Sequence, residues 1–159
     1  MAARKKKSAR KPVRKKQPAA RRPKRRQPET LRLRNAAPSL TVSDISKSVT
    51  FYRDVLGFTP GESYSEGGRL VGVELKAGKV SVWLSQDDWA RGRDRVKGVG
   101  CRTHFTTVQD IDALAERIKA RGGSLLHEPQ DQGWGVRDIG VKDPDGYAFT
   151  IQTPLKKRR

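Results

Sequence analysis

The globular part of the sequence offers few side chains that could do chemistry. Its single cysteine, Cys101, would act as a nucleophile only beside a base, and the sequence places no suitable base near it. We therefore interpret Cys101 as a small apolar filler. The two imidazoles, His104 and His127, could bind a metal, move a proton or make structural hydrogen bonds. Because His127 lies near the end of a predicted strand, we expect it at the surface.

The distribution of charge indicates a second kind of chemistry, the binding of polyanions. The 159 residues include 35 Lys and Arg against 17 Asp and Glu, a net charge of +18. Residues 1–34 hold 16 of the cations and one acid, whereas residues 35–155 are nearly neutral. The basic segment has almost no apolar residues and several prolines, which predicts a disordered tail. Nonspecific contact with phosphates would use its clustered cations, Arg4, Lys5, Lys6, Lys7, Arg21, Arg22, Lys24, Arg25 and Arg26.

Other interpretations of this basic segment stay open, namely a solubilising or cloning-derived extension and a nuclear-localisation signal. Residues 156–159 form a second, short basic tail. No apolar run approaches the roughly 18 residues of a membrane-spanning helix, and no apolar segment follows the basic N-terminus as in a secretory signal. One cysteine excludes an intrachain disulfide. We expect a cytoplasmic protein, with nucleoid association as a hypothesis.

Between the tails, a pattern of strands and one helix occurs twice. Val42-Ser43-Asp44-Ile45 returns 66 residues later as Val108-Gln109-Asp110-Ile111, and Gly57 matches Gly123 at the same offset. In each copy the Asp is a good helix N-cap and the Gly is placed to end the helix. The predicted strands are Ala36–Val42, 58–65, Arg69–Lys76, Val80–Ser85, Gly100–Val108, Ser124–His127, Arg137–Val141 and Tyr147–Gln152, with helices at Asp44–Gly57 and Asp110–Arg121.

The pattern predicts an α+β fold of two βαβββ modules, residues 35–85 and 99–153, joined by a polar linker near 86–98. Each module is small for an independent core, so we expect the two to pack as one body. The loops predicted at 60–68 and 129–136 show no pattern that defines their conformation.

This order of elements resembles the vicinal oxygen chelate superfamily, which includes glyoxalase I, extradiol dioxygenases, fosfomycin-resistance enzymes and bleomycin-resistance proteins. The resemblance covers about residues 35–153. It implies that the modules form curled mixed sheets around a pocket, within one chain or between two chains. The segments that carry it are Val42–Ile45, Phe51–Phe58, Trp134-Gly135 and Asp143–Gly146.

The resemblance also implies where a divalent metal would bind. The ligand positions of the family fall on Ala37, Thr103 and Thr150, with Glu74 as an additional carboxylate. Only Glu74 would bind a metal well, because Ala offers no lone pair and a neutral Thr hydroxyl is a poor ligand. A catalytic divalent ion normally needs about three protein ligands. We therefore predict no cofactor, with a divalent metal as the alternative.

Alternation along the fifth strand decides whether His104 could replace a missing ligand. If Val108 corresponds to Val42, which should face the helix, then His104 lies on the helix side, and Thr103 and Phe105 lie in the pocket. His104 is then a structural or hydrogen-bonded residue. A ligand role for His104 stays open as the alternative.

The same alternation predicts the side chains that line the pocket. Flat aromatic surfaces with sparse polar anchors suit a planar organic ligand. Plain packing is the alternative for Trp83, and Trp89 in the linker is interpreted as a cover or a dimer contact. The predicted ligand-binding residues are Ser39, Glu74, Trp83, Thr103, Phe105, Trp134 and Thr150, and Thr41, Ser81, Ser85, Thr107 and Gln152 complete the walls.

Bleomycin-resistance members of the family lack the metal and hold a drug between aromatic residues at a dimer interface. Ala37–Thr41 and Gln132–Gly135 resemble that branch, although the core lacks the acidic charge expected of a protein that sequesters cationic drugs. We predict a homodimeric, metal-independent small-molecule-binding protein with no catalytic residues, and sequestration of an aromatic compound or antibiotic as a hypothesis. The alternatives are a metal-dependent lyase, isomerase or dioxygenase of the same superfamily, and a nucleic-acid-associated protein that acts through its basic tail.

Overall fold

The computed structural model describes residues 35–156, and the predictions for residues 1–34 and 157–159 lie outside this part. No helix in the described part is long and apolar enough to cross a membrane. The first module contains β1 (Ser39–Val42), α1 (Ile45–Thr50, continued by a π-helical turn at Phe51–Val55), β2 (Thr59–Glu66), β3 (Arg69–Ala77) and β4 (Val80–Gln86). The second contains β5 (Arg102–Thr106), α2 (Ile111–Ala120), β6 (Leu125–Gln132), β7 (Val136–Lys142) and β8 (Ala148–Pro154).

Each module forms one four-stranded mixed sheet. The strand orders are β1-β4-β3-β2 and β5-β8-β7-β6. The first strand of each module runs parallel to the last one, and the remaining neighbours are antiparallel. The predicted α+β fold with two βαβββ modules is therefore confirmed.

The helices begin where the capping residues predict. The carboxylate of Asp44 accepts a hydrogen bond from the backbone of Lys47, and that of Asp110 accepts one from Ala113. Gly57, with φ of +83°, follows the first helix as expected. After α2 the left-handed residue is Gly122, with φ of +82°, and not the predicted Gly123.

Two segments for which no conformation was predicted, 60–68 and 129–136, contain more strand than expected. β2 confirms the strand predicted at 58–65 and includes most of 60–68, and β6 extends beyond the predicted end at His127, through Pro129 to Gln132, with shifts in register on both sides of His127. Both are edge strands, which pair on one side only. Every residue of β2 is exposed, so its sequence carries none of the apolar alternation from which a half-buried strand is recognised.

The two modules share their core through the helical layer. Phe149 of β8 packs in the first cluster, where its ring lies 5.7 Å from that of Tyr52 and 5.6 Å from that of Phe105. In return, Val55 and Leu56 at the end of α1 pack against the cluster built on α2. The modules thus form one body, as their small size requires.

Polar groups complete the junction between the modules. In the linker, buried Lys97 lies 3.0 Å from a carboxylate oxygen of Asp87 and 3.6 Å from one of Asp145, which belongs to the turn after β7. The hydrogen bond from Lys97, with further ones from Trp89 and Arg95, lowers the pKa of Asp87 to about 2. The Lys97 ammonium group lies 4.7 Å from the centroid of the Trp89 ring, so this tryptophan makes a cation–π contact within the linker.

Candidate functional site

The first sheet separates apolar and polar side chains as the alternation predicts. Val82 and Leu84 of β4 are fully buried beneath α1. Trp83, between these two residues, points to the opposite face of the sheet, where it is paired with Ser39 of β1 and Glu74 of β3. This open face, which we call the Trp83 face, carries Ser39, Thr41, Tyr64, Glu74, Lys76, Ser81, Trp83 and Ser85.

An aromatic pair dominates the Trp83 face. The ring centroids of Tyr64 and Trp83 are 5.8 Å apart, with their planes inclined by 32°. Tyr64 is paired with Gly72 of β3, the strand that lies between the two aromatic residues, and its ring lies beside this glycine. Tyr64 is 57% exposed, so the pair offers a flat surface to a ligand. Sequence reasoning predicted a strand at 58–65 but did not assign Tyr64 to the pocket wall, because this strand is exposed throughout and no apolar alternation shows which of its side chains face the pocket.

A carboxylate lies beside this aromatic pair. The side chain of Glu74 is only 12% exposed and forms an ion pair of 2.9 Å with Lys76. The hydrogen bond from Lys76 is the main reason that the pKa of Glu74 lies below its ordinary value, and Ser81 adds to the effect. Gly61 on β2 leaves space for this carboxylate, since a Cβ atom there would come within 2.9 Å of its oxygen. Glu74 is therefore held as an anion on the face.

The second sheet corrects the predicted alternation of β5. Phe105 packs in the core, with its ring stacked on Phe149 and 6.2 Å from Phe58, while Thr103 lies on the same side. His104 is exposed on the other side, next to Thr150 of β8. The predictions that Thr103 and Phe105 face the pocket and that His104 faces the helix are therefore wrong.

The cause is the connection between β5 and α2. In the first module the core-facing Leu40 lies four residues before the N-cap Asp44, whereas in the second the core-facing Phe105 lies five residues before Asp110, so the second connection is longer by one residue. Val108 lies in this longer connection and is fully exposed, while Val42 is fully buried. Counting back from Val108 therefore places every β5 side chain on the wrong side of the sheet.

The open face of the second sheet is polar, and we call it the His104 face. Asp138 is buried there and accepts a hydrogen bond of 2.9 Å from the Gln132 amide. The ring of His127 lies over Gly140, where a Cβ atom would come within 2.7 Å of it. His127 is thus half-buried and not the surface residue that was expected. The face carries His104, Thr106, His127, Gln132, Asp138, Thr150 and Gln152.

Three other predicted positions lie apart from these faces. Ala37 is exposed and precedes β1. Trp134 is 70% exposed in the turn between β6 and β7, so the described structure does not bring it to Trp83. Cys101 is exposed ahead of β5, which contradicts its interpretation as a buried filler.

The metal-donor side chains of this chain do not fit the metal site of the superfamily that its sequence resembles. Within residues 35–156, no three side chains of His, Cys, Asp or Glu lie close enough together to hold an ion. The His104 face carries the imidazoles of His104 and His127 and the Asp138 carboxylate, but these do not lie close enough together to form such a group, and the Trp83 face offers the Glu74 carboxylate. Neither face alone reaches the roughly three ligands of a catalytic site.

Comparisons with known proteins agree with this architecture. The model of the glyoxalase/bleomycin resistance protein/dioxygenase superfamily matches residues 34–151. A bleomycin resistance protein from Geobacillus stearothermophilus is 34% identical over 131 residues, which cover 75% of this chain and 96% of that protein. A lactoylglutathione lyase from Arabidopsis thaliana is 31% identical over 119 residues, covering 69% of this chain but only 40% of the plant enzyme.

A solved structure supports the fold independently. A glyoxalase/bleomycin resistance protein/dioxygenase from Nocardioides superposes with a TM-score of 0.63 at 20% identity, covering 82% of this chain and 90% of that one. The family match spans both modules, and the observed strand order supplies the paired sheets that the sequence resemblance implies. The chain therefore belongs to the glyoxalase/bleomycin resistance protein/dioxygenase superfamily.

Proposed function

We propose that this protein binds a planar aromatic small molecule on its Trp83 face without a metal ion. The observation that carries the proposal is the Tyr64–Trp83 pair, in which Tyr64 is exposed and Trp83 is half-buried, beside an anionic Glu74. An aromatic ligand would stack on the pair, and the carboxylate would favour a ligand with a cationic or hydrogen-bond-donating group. The match to bleomycin resistance proteins supports sequestration of such a compound, an antibiotic being one example.

The binding cleft in this proposal is completed by a second copy of the chain. Two cavities of the described part lie elsewhere, one at the start of α1 and one between α2 and the turn after β3. The Trp83 face is open within one chain, where Tyr64 is 57% exposed, and it needs a lid to remove a ligand from water. The polar His104 face of a partner copy is the proposed lid, which makes the functional unit a homodimer.

Ligand titration tests the proposal. Isothermal titration with bleomycin and with acridine dyes should give saturable binding, accompanied by quenching of tryptophan fluorescence. Trp83→Ala should weaken the binding about tenfold, the factor for about 1.4 kcal/mol, which is the scale of one aromatic contact. Trp134→Ala is the matched control and should bind as the wild type does. Equal affinities of the Trp83 variant and the wild type would exclude the Trp83 face as the site.

A metal-dependent lyase, isomerase or dioxygenase is the second candidate, favoured by the position of His104 on an open face. A dimer that brings this imidazole to Glu74 of a partner would supply two ligands, with water completing the coordination. Metal analysis of protein purified without chelators decides between the candidates. One tightly bound transition metal per chain, lost in both Glu74→Ala and His104→Ala, would replace the metal-free proposal.

The charge of residues 1–34 supports a third activity that is compatible with either candidate. The 16 cations of this segment would contact a phosphate backbone without sequence preference and keep the protein near nucleic acid. We therefore propose nonspecific DNA contact through the tail, and its test is described with the other predictions in the Discussion.

A further inference from the structure

The turn after the third strand of the second module seals the junction with α1. The carboxylate of Asp145 accepts a hydrogen bond of 2.9 Å from the backbone of Ser43, and it lies 3.4 Å from the Ser48 hydroxyl. Asp143 of the same turn accepts a bond of 3.0 Å from the hydroxyl of buried Tyr52. Polar groups on α1 and acids on the turn thus close this side of the helix.

The internal repeat places a different set of residues at the equivalent junction of α2. At the offset of 66 that relates the two helix N-caps, the positions of Ser48 and Tyr52 become Leu114 and Ile118. The turn between β3 and β4 is the short Gly78-Lys79, which carries no carboxylate. Neither the polar residues on the helix nor the carboxylates on the turn are present here, so no hydrogen bonds of this kind join α2 to the turn between β3 and β4.

A groove of about 820 Å³ lies in the space left between this turn and α2. Its floor is apolar and is built from Leu114, Ile118, Phe105 and Ile151, with Val55 from the π-helical turn of the first module. Such a volume is typical of clefts that bind small molecules. The groove is separate from the Trp83 face, because no residue of that face lines it. Its floor residues Phe105 and Ile151 also lie on the opposite side of the second sheet from His104.

The rim of this groove is cationic. Lys79, Arg117 and Arg121 line it, and none of its lining residues is an Asp or Glu. The acid near Arg121 is Asp54, and it is held by Arg53 at 2.6 Å. Three cations around an apolar floor complement a molecule with one anionic end and a hydrocarbon body.

We propose that this groove is a second binding site, and that it takes an amphipathic carboxylate such as a medium-chain fatty acid. The hydrocarbon chain lies on the floor between α2 and the turn after β3. The carboxylate lies at the rim, where Lys79 and Arg117 neutralise it. The site depends on neither the Trp83 face nor a metal ion.

Titration of the full-length protein with dodecanoate tests this site. Dodecanoate should bind with one equivalent per chain, whereas butyrate, with the same charge but little chain, and dodecyltrimethylammonium, with the same chain but the opposite charge, should not. The double variant Lys79→Gln/Arg117→Gln should weaken binding about tenfold. Val108→Asp should weaken binding further, because Val108 lines the groove and the new carboxylate would repel the carboxylate of the ligand. Since Val108 is fully exposed, its replacement does not disturb the core.

The control variant is Arg91→Gln, which removes an exposed cation away from the groove and should leave dodecanoate binding unchanged. Equal affinities of all the variants would mean that the fatty acid binds elsewhere, for example on the basic tail, and would overturn the proposal. The absence of saturable binding would overturn it as well. A shift from dimer to monomer in Val108→Asp, without dodecanoate binding by the wild type, would assign the groove to a second copy of the chain instead.

Discussion

Replacing Tyr52 with Phe should destabilise the protein by about 2 kcal/mol at neutral pH. The substitution keeps the ring, which packs against Phe58 and Phe149, and removes only the hydroxyl that donates to Asp143 at 3.0 Å. A hydrogen bond to a charged acceptor contributes about 1.5–3 kcal/mol when both groups are buried. For a domain of this size the loss lowers the Tm by roughly 6–10 °C.

The loss should also depend on pH, because Asp143 is the acceptor. Burial raises the pKa of Asp143 above its ordinary value, although hydrogen bonds from Tyr147 and Tyr52 oppose the effect. The folded protein therefore takes up this proton at a higher pH than the unfolded chain. The contribution of Asp143 to the free energy of unfolding is greatest at acid pH and is lost as the pH rises through the raised pKa.

Without the Tyr52 hydroxyl, the pKa of Asp143 should rise further, since a group that favours the carboxylate is gone. The difference in stability between the wild type and Tyr52→Phe should therefore be largest at pH 7 and narrow towards pH 4. Urea denaturation at both pH values, followed by circular dichroism, measures this difference. The control is Tyr147→Phe, which removes a bond of 3.1 Å to the uncharged carbonyl of Thr41 and should cost about 1 kcal/mol. A Tyr52→Phe loss that stays the same at both pH values would refute the role given to the Asp143 charge.

Three further predictions follow from the register, the Trp83 face and the tail. Val42→Ala should cost about 2 kcal/mol in denaturation experiments, whereas Val108→Ala should cost nothing measurable, because the first is buried and the second fully exposed; equal losses would contradict the register of β5. Glu74→Gln should weaken a cationic aromatic ligand about tenfold in calorimetry and leave a neutral one unaffected; since the pKa of Glu74 is lowered, the wild type should keep its affinity as the pH falls to the ordinary range of a glutamate. Deletion of residues 1–34 should abolish DNA binding and its steep salt dependence in fluorescence anisotropy, and a truncated chain that binds as well as the full one would remove the tail from the proposal.

The sequence was sufficient to predict the fold and the side of the first sheet on which Trp83 lies. Its internal repeat and the capping residues Asp44 and Asp110 predicted both modules. The apolar alternation of β4 placed Trp83 on the open side, because a half-buried strand repeats with period two. Tyr64 was missed since an exposed edge strand has no apolar pattern to reveal it.

On the second face, Thr150 and Gln152 of β8 lie on the predicted side, but the side chains of β5 were predicted on the wrong side, because a register counted along a chain fails when one residue is added. Val108 has the same type as Val42 and the same distance from a helix cap, so the two sequences look equivalent. Only tertiary packing shows that Phe105 fills the core and that the valine lies in solvent. Long-range pairing of β5 with β8 sets this register, and no local pattern in the sequence records it.

The length of the connection that contains Val108 also has a consequence for the evolution of such sheets. Loss of one codon there would turn β5 over as it pairs with β8, burying an imidazole and presenting an aromatic ring in its place. A single in-frame deletion could therefore exchange a polar, ligand-capable wall for a hydrophobic one without altering any residue of the wall itself. Relatives that differ in the length of this connection should accordingly bind ligands of different polarity, even where their strands have the same sequence.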